Sequence, residues 1–416
     1  MTSIRTLLST WIVILLAVLT CGFGGTEYWA EGIFSVSISV LSAGLLFSLY
    51  RPGRLAGAWP VAGPFVACAL IGVGQLAFDA TVYPHATLTQ SLRWSTLAAL
   101  AFATSYASSD SRTRSVLTDS LYYFGAGVSL FGLVHYVTCG GRLLWIGTNE
   151  FGSTFAPFIN RDHYAAFCEL VLPFAVYRMY ERNRNSVAHI VVAAILFAAL
   201  IASASRTGVA IGMSEVLLIS ILQGQLLSKR VAFAVVGLGG LALLFSAIAG
   251  PDVLLKKLLT HGDWQYRSMM AGSAWQMGVE RPVTGHGLGT FEVAYPRFAR
   301  FDLGLRVDHA HNEWLEWFAE GGIWLPVIMG VFLLGTLRGI RQQPWTIGVP
   351  AVLAHGLVDF PWRIPAIAAY AVAIAAVAQP LRFAASSKTL VKKSRDVGEQ
   401  PMCKVPAFED SSTKPK

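Results

Sequence analysis

The chain has 416 residues, of which 54% are hydrophobic and 13% are charged, whereas an average soluble domain carries roughly 25% charged residues. This deficit excludes a soluble core and indicates one membrane domain, because spans of about 20 residues each take up most of the length. The formal net charge of +8 does not predict a nucleic-acid partner, since Lys and Arg stand mostly in short gaps between apolar runs, as membrane topology signals do.

About twelve apolar runs are long enough to cross a bilayer. The first run also fits a signal peptide, but the many spans that follow favour an uncleaved first helix. We therefore predict an all-α integral membrane protein with about twelve transmembrane helices, in which residues 1–382 form the membrane domain and residues 383–416 a basic, disordered tail. The runs lie at about 6–23, 29–49, 56–78, 90–107, 118–138, 161–178, 187–204, 207–224, 231–249, 312–336, 345–359 and 362–381.

Most of the 32 Lys and Arg residues fall on one side of this arrangement. The positive-inside rule places that side in the cytoplasm, so we predict a multi-pass protein of a bacterial inner membrane with both termini cytoplasmic. The outer, periplasmic side then receives a medium loop around residues 139–160 and one long loop at about 250–311.

The long loop has the sequence of a partly folded segment. Asp263 can cap a helix that runs through Val279 and that Pro282 ends, and a tight turn follows. This turn is not a dinucleotide-binding fingerprint, because it has neither the strand and helix around it nor the third glycine at the required spacing. Its glycines are Gly285, Gly287 and Gly289.

Two arginines on the outer side could bind an anion. Arg206 lies in a polar break between two apolar runs, against the positive-inside trend, so it is expected to have a partner. Arg267 lies on the helix of the long loop. Two guanidinium groups can hold a pyrophosphate bidentately and offset the charge that develops as it leaves. The alternatives are that Arg206 extends towards lipid headgroups and that Arg267 is an ordinary surface residue.

The densest group of titratable residues is the segment 308–313, where the long loop returns to the membrane. His309 and His311 with Asp308 could form a metal site, but two histidines at this spacing without a third ligand are weak evidence for one. The five cysteines add no CxxC site or disulfide framework. A histidine is also the usual general base near neutral pH, and Asp308 or Glu313 could orient it. Asn312 could simply cap the next helix.

Several acids fall within the predicted spans. Glu313, Glu316 and Glu320 stand at i, i+3 and i+7 and share one face of the tenth span, where carboxylates usually face a cavity or a cation. The glycines after Glu320 allow another backbone to approach closely. For these acids a structural hydrogen bond within the bundle is at least as good an interpretation as catalysis. The other intramembrane groups of this kind are Glu169, Glu215, His355 and Asp359.

The sixth span opens with a polar group that includes Asn160, Arg161 and His163. A helix N-terminus with an asparagine and a cation could contact an anion or a sugar. A plain helix cap by Asn160 is an equally good interpretation.

Taken in order, these stretches resemble the O-antigen ligase and polymerase family of bacterial envelope glycosyltransferases. The resemblance covers residues 155–325, about the middle 40% of the chain, and implies a GT-C-like fold. It rests on the stretch 160–167 with Pro173, on Ser205-Arg206-Thr207-Gly208, on residues 281–291, on residues 309–315, and on Glu320-Gly321-Gly322.

The resemblance implies that undecaprenyl diphosphate carries a glycan on the periplasmic side and that the glycan passes to an acceptor hydroxyl without a metal or a nucleotide. His311 would match the histidine that activates the acceptor, and Arg206 and Arg267 the arginines that bind the diphosphate. The named case is O-antigen ligation to lipid A-core. A polysaccharide polymerase, a protein O-oligosaccharyltransferase and a membrane transporter are the alternatives.

Overall fold

A computed structural model of the protein describes residues 2–49, 59–146, 154–181, 186–225, 240, 262–300, 304 and 306–379. Within these residues the regular structure is helical, with 3-10 turns between some helices and no named strand, so the prediction of an all-α protein is confirmed for this part of the chain. The α-helices described below are α1 Thr2–Cys21, α2 Tyr28–Leu49, α3 Trp59–Ala77, α4 Pro84–Ala107, α5 Ser111–Thr138, α6 Arg161–Arg178, α7 Ser186–Ser203, α8 Arg206–Leu222, α9 Gly262–Glu280, α10 Phe291–Ala294, α11 Glu313–Gly321, α12 Trp324–Gly339, α13 Gly348–His355 and α14 Pro365–Ala378.

The first eight predicted spans each coincide with one helix, α1 to α8. Within the described residues, four helices are long and apolar enough to cross a membrane by length and composition, and three shorter apolar helices accompany them. The run at 231–249 and the tail from 383 onward lie outside the described residues, Gly240 excepted. The count of about twelve spans and the outward position of the long loop therefore stay predictions.

Of the last three predicted spans, the first is broken into two helices and the other two form short helices. The run at 312–336 forms two helices, α11 and α12, because Gly322 takes a φ of +62° and interrupts the helical path. The run at 345–359 is helical in α13 only as far as His355. At a rise of about 1.5 Å per residue, α13 extends about 12 Å and α14 about 21 Å, short of the roughly 30 Å hydrocarbon core.

The helices α13 and α14 form a short hairpin whose tip, residues 356–364, carries polar side chains. The tip is held against α11, since Glu313 donates its backbone N–H to the Gly356 carbonyl at 2.7 Å and accepts the Trp362 N–H on Oε2 at 3.2 Å. The hairpin thereby brings Asp359 and Arg363 to the end of α11.

Helix α6 is buried along nearly its whole length, which is typical of a helix at the centre of a bundle. Gly348 lies at the start of α13, where a Cβ atom would come within 2.8 Å of the Leu170 backbone. Glu169 Oε1 of α6 lies 2.8 Å from His355 Nδ1 of α13, an intrabundle hydrogen bond of the kind that is one of the two interpretations of these residues.

The long loop is folded where it is described. Its helix α9 starts at Gly262, two residues before the start that an Asp263 cap predicts. Met270, Ala274 and Met277 of α9 pack with Phe291 of α10 and with Ala319 of α11 in a small apolar core. The loop is therefore fixed to α11 by burial of apolar surface.

The glycine-rich segment forms the tight turn that its sequence predicts, and this turn also joins the loop to the bundle. Gly285, Gly287 and Gly289 all have positive φ, at +65°, +116° and +72°. The Gln75 amide of α3 donates to the Glu320 carbonyl at 2.8 Å and its oxygen accepts the Leu288 N–H at 2.9 Å. Three separate parts of the chain, α3, the turn and the end of α11, therefore meet there.

Candidate active site

His311 is oriented by a carboxylate from the hairpin tip. Its Nδ1 lies 3.0 Å from Asp359 Oδ1, and 24% of its side chain is exposed. Because an ionised carboxylate can only accept, Nδ1 carries the proton, and in the neutral ring Nε2 then presents its lone pair. The backbone of His311 has a φ of +48°, a conformation that non-glycine residues adopt rarely and that occurs in turns and at active sites.

The residue after His311 fixes the start of α11. The Asn312 side chain caps this helix by accepting the Leu315 N–H at 3.0 Å and donates from Nδ2 to the Leu357 carbonyl at 2.8 Å. Asn312 is therefore a helix cap, as the simpler interpretation predicts, and it also ties α11 to the hairpin tip beside Asp359.

The partner of His311 is a residue that local sequence reasoning does not select. Asp308 and Glu313 are its acidic neighbours in sequence, whereas Asp359 lies 48 residues further along the chain. Glu313 Oε2 accepts a hydrogen bond from the hairpin tip instead. The Asp359 side chain is 3% exposed, and its second oxygen, Oδ2, is buried without a hydrogen-bond partner. Because helix and strand periodicity relate only near neighbours in sequence, they could not predict a pair separated by 48 residues.

His309 has a carboxylate partner of its own. Its Nδ1 lies 2.8 Å from Glu316 Oε1, and the second oxygen of Glu316 accepts the Ala310 N–H at 2.8 Å. Burial by itself lowers the pKa of His309, but the charge of Glu316 and its hydrogen bond raise it more, so the net pKa lies above the usual value for histidine. His309 therefore keeps its charge to higher pH than a free histidine.

Three imidazole rings surround the Phe360 ring at the hairpin tip. The ring centroids of His163 and His311 lie 5.0 Å from that of Phe360 in edge-to-face geometry. His309 lies closer, at 4.2 Å and 32°. Phe360 is thus the common packing partner of all three histidines, and nothing in its sequence surroundings marks it as such.

Arg363 of the hairpin tip forms ion pairs with two of the acids of α11. Its Nη2 lies 3.1 Å from Glu316 and 2.6 Å from Glu320. Glu320 also accepts the Phe291 N–H at 3.2 Å. The three glutamates share one buried face of α11, as their spacing predicts, and that face meets a cation. Glu313 and Glu320 both contact the hairpin tip, Glu313 at the Trp362 N–H and Glu320 at Arg363.

Arg267 extends from α9 to the same region. Its Nη1 donates to the Val358 carbonyl at 2.9 Å, next to Asp359, and its Nη2 lies 3.6 Å from Asp162 Oδ2. Arg161 Nε lies 4.0 Å from the same carboxylate oxygen. The structure thus brings Arg267 close to the His311 and Asp359 pair.

Arg206 lies on a neighbouring helix at the same end of α6. It is the first residue of α8, its side chain is exposed, and Ser205 caps the helix by accepting the Gly208 N–H. A Cβ atom on Gly208 would touch Ala165 in the first turns of α6. Arg206 is therefore level with the start of α6. Asn160 caps this helix, since its side chain accepts the Asp162 N–H at 2.8 Å.

A cleft of about 760 Å³ opens beside the histidines, a volume within the range of small-molecule sites. It joins the start of α6 to the segment before His311. Among the described residues no group of three or more His, Cys, Asp or Glu is arranged to hold a metal ion. Residues predicted to support the site line this cleft together with Phe360; they are Asn160, Arg161, His163, Asp308 and His309.

Comparison with known proteins identifies the central part of the chain. Residues 191–330 match the family described as O-Antigen ligase, which confirms the resemblance inferred from the sequence motifs. The match covers about a third of the chain and includes Arg206, Arg267 and His311, while α6 and the hairpin tip lie outside it. No curated protein matches the chain.

Proposed function

We propose that this chain, whose residues 191–330 carry an O-antigen ligase domain, transfers a glycan from undecaprenyl diphosphate to an acceptor hydroxyl at the periplasmic face of the inner membrane. The acceptor is the lipid A-core of lipopolysaccharide, and the reaction uses no metal and no nucleotide. The observation that carries the proposal is the pair of His311 and Asp359, whose Nδ1 and Oδ1 atoms lie 3.0 Å apart. Arg267 donates a hydrogen bond to the carbonyl of Val358, the residue before Asp359.

In the proposed reaction His311 is the general base. Its Nε2 accepts the proton of the acceptor hydroxyl as the oxygen attacks the anomeric carbon of the donor glycan. Asp359 holds the proton on Nδ1 and stabilises the imidazolium that forms. The bond between the anomeric carbon and the diphosphate oxygen breaks, and its electron pair leaves with the diphosphate.

The charge that develops on the leaving diphosphate requires cations. Arg206 and Arg267 are the proposed diphosphate-binding residues, because guanidinium groups bind phosphate oxygens bidentately. For Arg267 the support comes from its position beside the hairpin tip and Asp162. For Arg206 it comes from the Ser-Arg-Thr-Gly stretch and from the start of α8 beside α6.

Deletion of the gene followed by gel analysis of surface glycans tests the class of acceptor. Lipid A-core without any attached repeat is the expected result for a ligase. Core that carries a single repeat would instead identify a polymerase, and an unchanged glycan pattern would refute both functions.

Single substitutions test the assignment of the site. We predict that His311→Ala lowers glycan transfer by about 10²- to 10⁴-fold, the usual contribution of a positioned acid or base. We predict that Arg206→Ala lowers glycan transfer below detection. His85→Ala, which removes an exposed histidine at the start of α4, is the matched control and should transfer normally. Transfer by His311→Ala at the level of this control would show that His311 is not the base.

A further inference from the structure

The site contains two histidine and carboxylate pairs, and the proposed reaction uses only one of them. We propose that His309 is a second residue that contacts substrate, and that its Nε2–H donates to an oxygen of the leaving diphosphate. This inference rests on the proposed function, because it concerns the donor of that reaction.

The contacts of His309 leave one ring nitrogen for a ligand. Glu316 accepts from Nδ1 at 2.8 Å and from the Ala310 N–H with its second oxygen, so both the ring and its backbone are held by one buried side chain. The flat face of the ring rests on Phe360 at 4.2 Å. With Nδ1 bonded and one face covered, Nε2 is the polar atom of the ring that remains for another partner, and His309 lines the cleft.

The position of His309 relative to His311 fits the two ends of a transfer reaction. Both rings contact the same phenylalanine, Phe360, yet each is oriented by a different carboxylate. A base must lie beside the attacking hydroxyl, and a donor beside the group that leaves, so the two functions need two nearby but separate groups.

The charges around His309 favour the protonated ring. The groups that face it are Glu316 of α11, Asp308 of its own segment, Arg363 of the hairpin tip and His163 of α6. The pKa of His309 is lowered by burial and by Arg363, but the larger combined effect of Glu316 and Asp308 raises it. A protonated imidazole can donate from both nitrogens at once, one bond to Glu316 and one to a ligand.

The cleft supplies a second cation for the same anion. Arg161 lines it together with His309, and the 30% exposure of the Arg161 side chain leaves its guanidinium accessible beside Asp162. Arg267 Nη2 lies 3.6 Å from the same Asp162 oxygen, Oδ2. A diphosphate in the cleft would therefore meet His309 and Arg161 and lie next to Arg267.

The proton balance of the step is complete without another reactant. His311 takes the proton of the acceptor hydroxyl, the bond from the anomeric carbon to the diphosphate oxygen breaks, and His309 shares its Nε2 proton with the diphosphate that carries away the electron pair. Release of the polyprenyl diphosphate returns both histidines to their starting states by exchange with water.

Binding of geranylgeranyl diphosphate to the purified full-length protein tests the inference, with geranylgeraniol, which lacks the diphosphate, as the reference ligand. We expect the affinity of the wild type for the diphosphate, measured from pH 6 upward, to fall as the pH rises through the raised pKa of His309, because the ring then loses its proton. His309→Gln should weaken binding at pH 6 by about tenfold or more, as for loss of a hydrogen bond to a charged group, and should flatten the pH dependence. His85→Gln, at an exposed site outside the cleft, should bind as the wild type does.

The outcomes separate the inference from the proposed function. If His309→Gln binds the diphosphate with wild-type affinity and pH dependence, the inference is wrong and the proposed function stands. If the wild type binds the diphosphate no better than geranylgeraniol, the proposed donor itself is wrong. Glu316→Gln should reproduce the altered pH profile of His309→Gln, and His309→Lys should restore part of the affinity. A loss of thermal stability alone would change neither the affinity nor its pH dependence in this way.

Discussion

At the scale of single residues, the site depends on how carboxylates orient imidazole rings. His311 is exposed enough to meet a substrate, whereas its partner Asp359 is almost fully buried. A buried carboxylate with one oxygen on Nδ1 fixes the tautomer and the direction of the ring at the same time. Glu316 acts in the same way on His309. Each ring is therefore held in one orientation by its own carboxylate.

The residue-scale prediction concerns Asp359→Asn. The amide has the same shape but can donate to Nδ1, which stabilises the other tautomer and removes the lone pair from Nε2. We expect glycan transfer to fall by about 10²- to 10⁴-fold while the protein inserts normally. Asp79→Asn is the matched control, since Asp79 is exposed and has a φ of +53°, which asparagine tolerates. Transfer by Asp359→Asn close to that of the control would mean that His311 acts without its carboxylate.

At the scale of elements, the glycine-rich turn and the end of α11 form one joint. Gly285 lies where a Cβ atom would overlap the Glu320 carbonyl, and a Cβ atom on Gly322 would lie 2.6 Å from the Val283 oxygen. The amide of Gln75 then closes the joint from α3. The glycine-rich turn could be taken for a ligand-binding loop. Its glycines and those after Glu320 instead allow two backbones to approach closely. Their effect on function is indirect, because the joint sets the position of α11 and of its glutamates.

The element-scale prediction is that Gly322→Ala destabilises the protein by roughly 2–4 kcal/mol, from a left-handed φ and from overlap with a backbone that cannot move aside. Gly330→Ala in α12 is the matched control, because a Cβ atom there meets nothing within 4 Å and alanine favours the helix. Thermal unfolding in detergent measures both. A Gly322→Ala protein as stable as the Gly330→Ala protein would contradict the close backbone approach.

At the scale of the whole molecule, the site lies between the folded loop, the start of α6 and the tip of a hairpin. The hairpin helices are shorter than the hydrocarbon core is thick, at about 12 Å and 21 Å against roughly 30 Å. In the predicted orientation, with this hairpin starting at the cytoplasmic side, that length would hold Asp359 and Arg363 below the outer surface. Polar groups at such depth need partners from other helices, and Arg363 has two, in Glu316 and Glu320.

The prediction at this scale is the orientation of the chain. Alkaline phosphatase, which is active only after export, should be active when fused after residue 304 of the long loop and inactive when fused after residue 342, beyond α12. Green fluorescent protein at the same two positions should give the opposite pattern. Active phosphatase at residue 342 would reverse the orientation and place the histidines on the cytoplasmic side.

The sequence by itself was sufficient for features that depend on near neighbours. Hydropathy located α1 to α8, the spacing of Glu313, Glu316 and Glu320 predicted a shared helix face, and glycines marked the tight turn. Asparagine before a helix start predicted the caps at Asn160 and Asn312. These features follow from periodicity and backbone conformation, which a few consecutive residues determine.

Only the tertiary structure decided which side chains complete the site. Asp359, Phe360 and Gln75 come from distant parts of the chain and carry no local signal of their roles, because their partners meet them through packing of separate helices. Hydropathy also could not predict the break at Gly322 or the shortness of the hairpin helices. It shows only that a run is apolar, not where the helix bends or ends within that run. The sequence alone determined the helices and pointed to His311 as the candidate base; the packing of those helices determined the carboxylate that orients it.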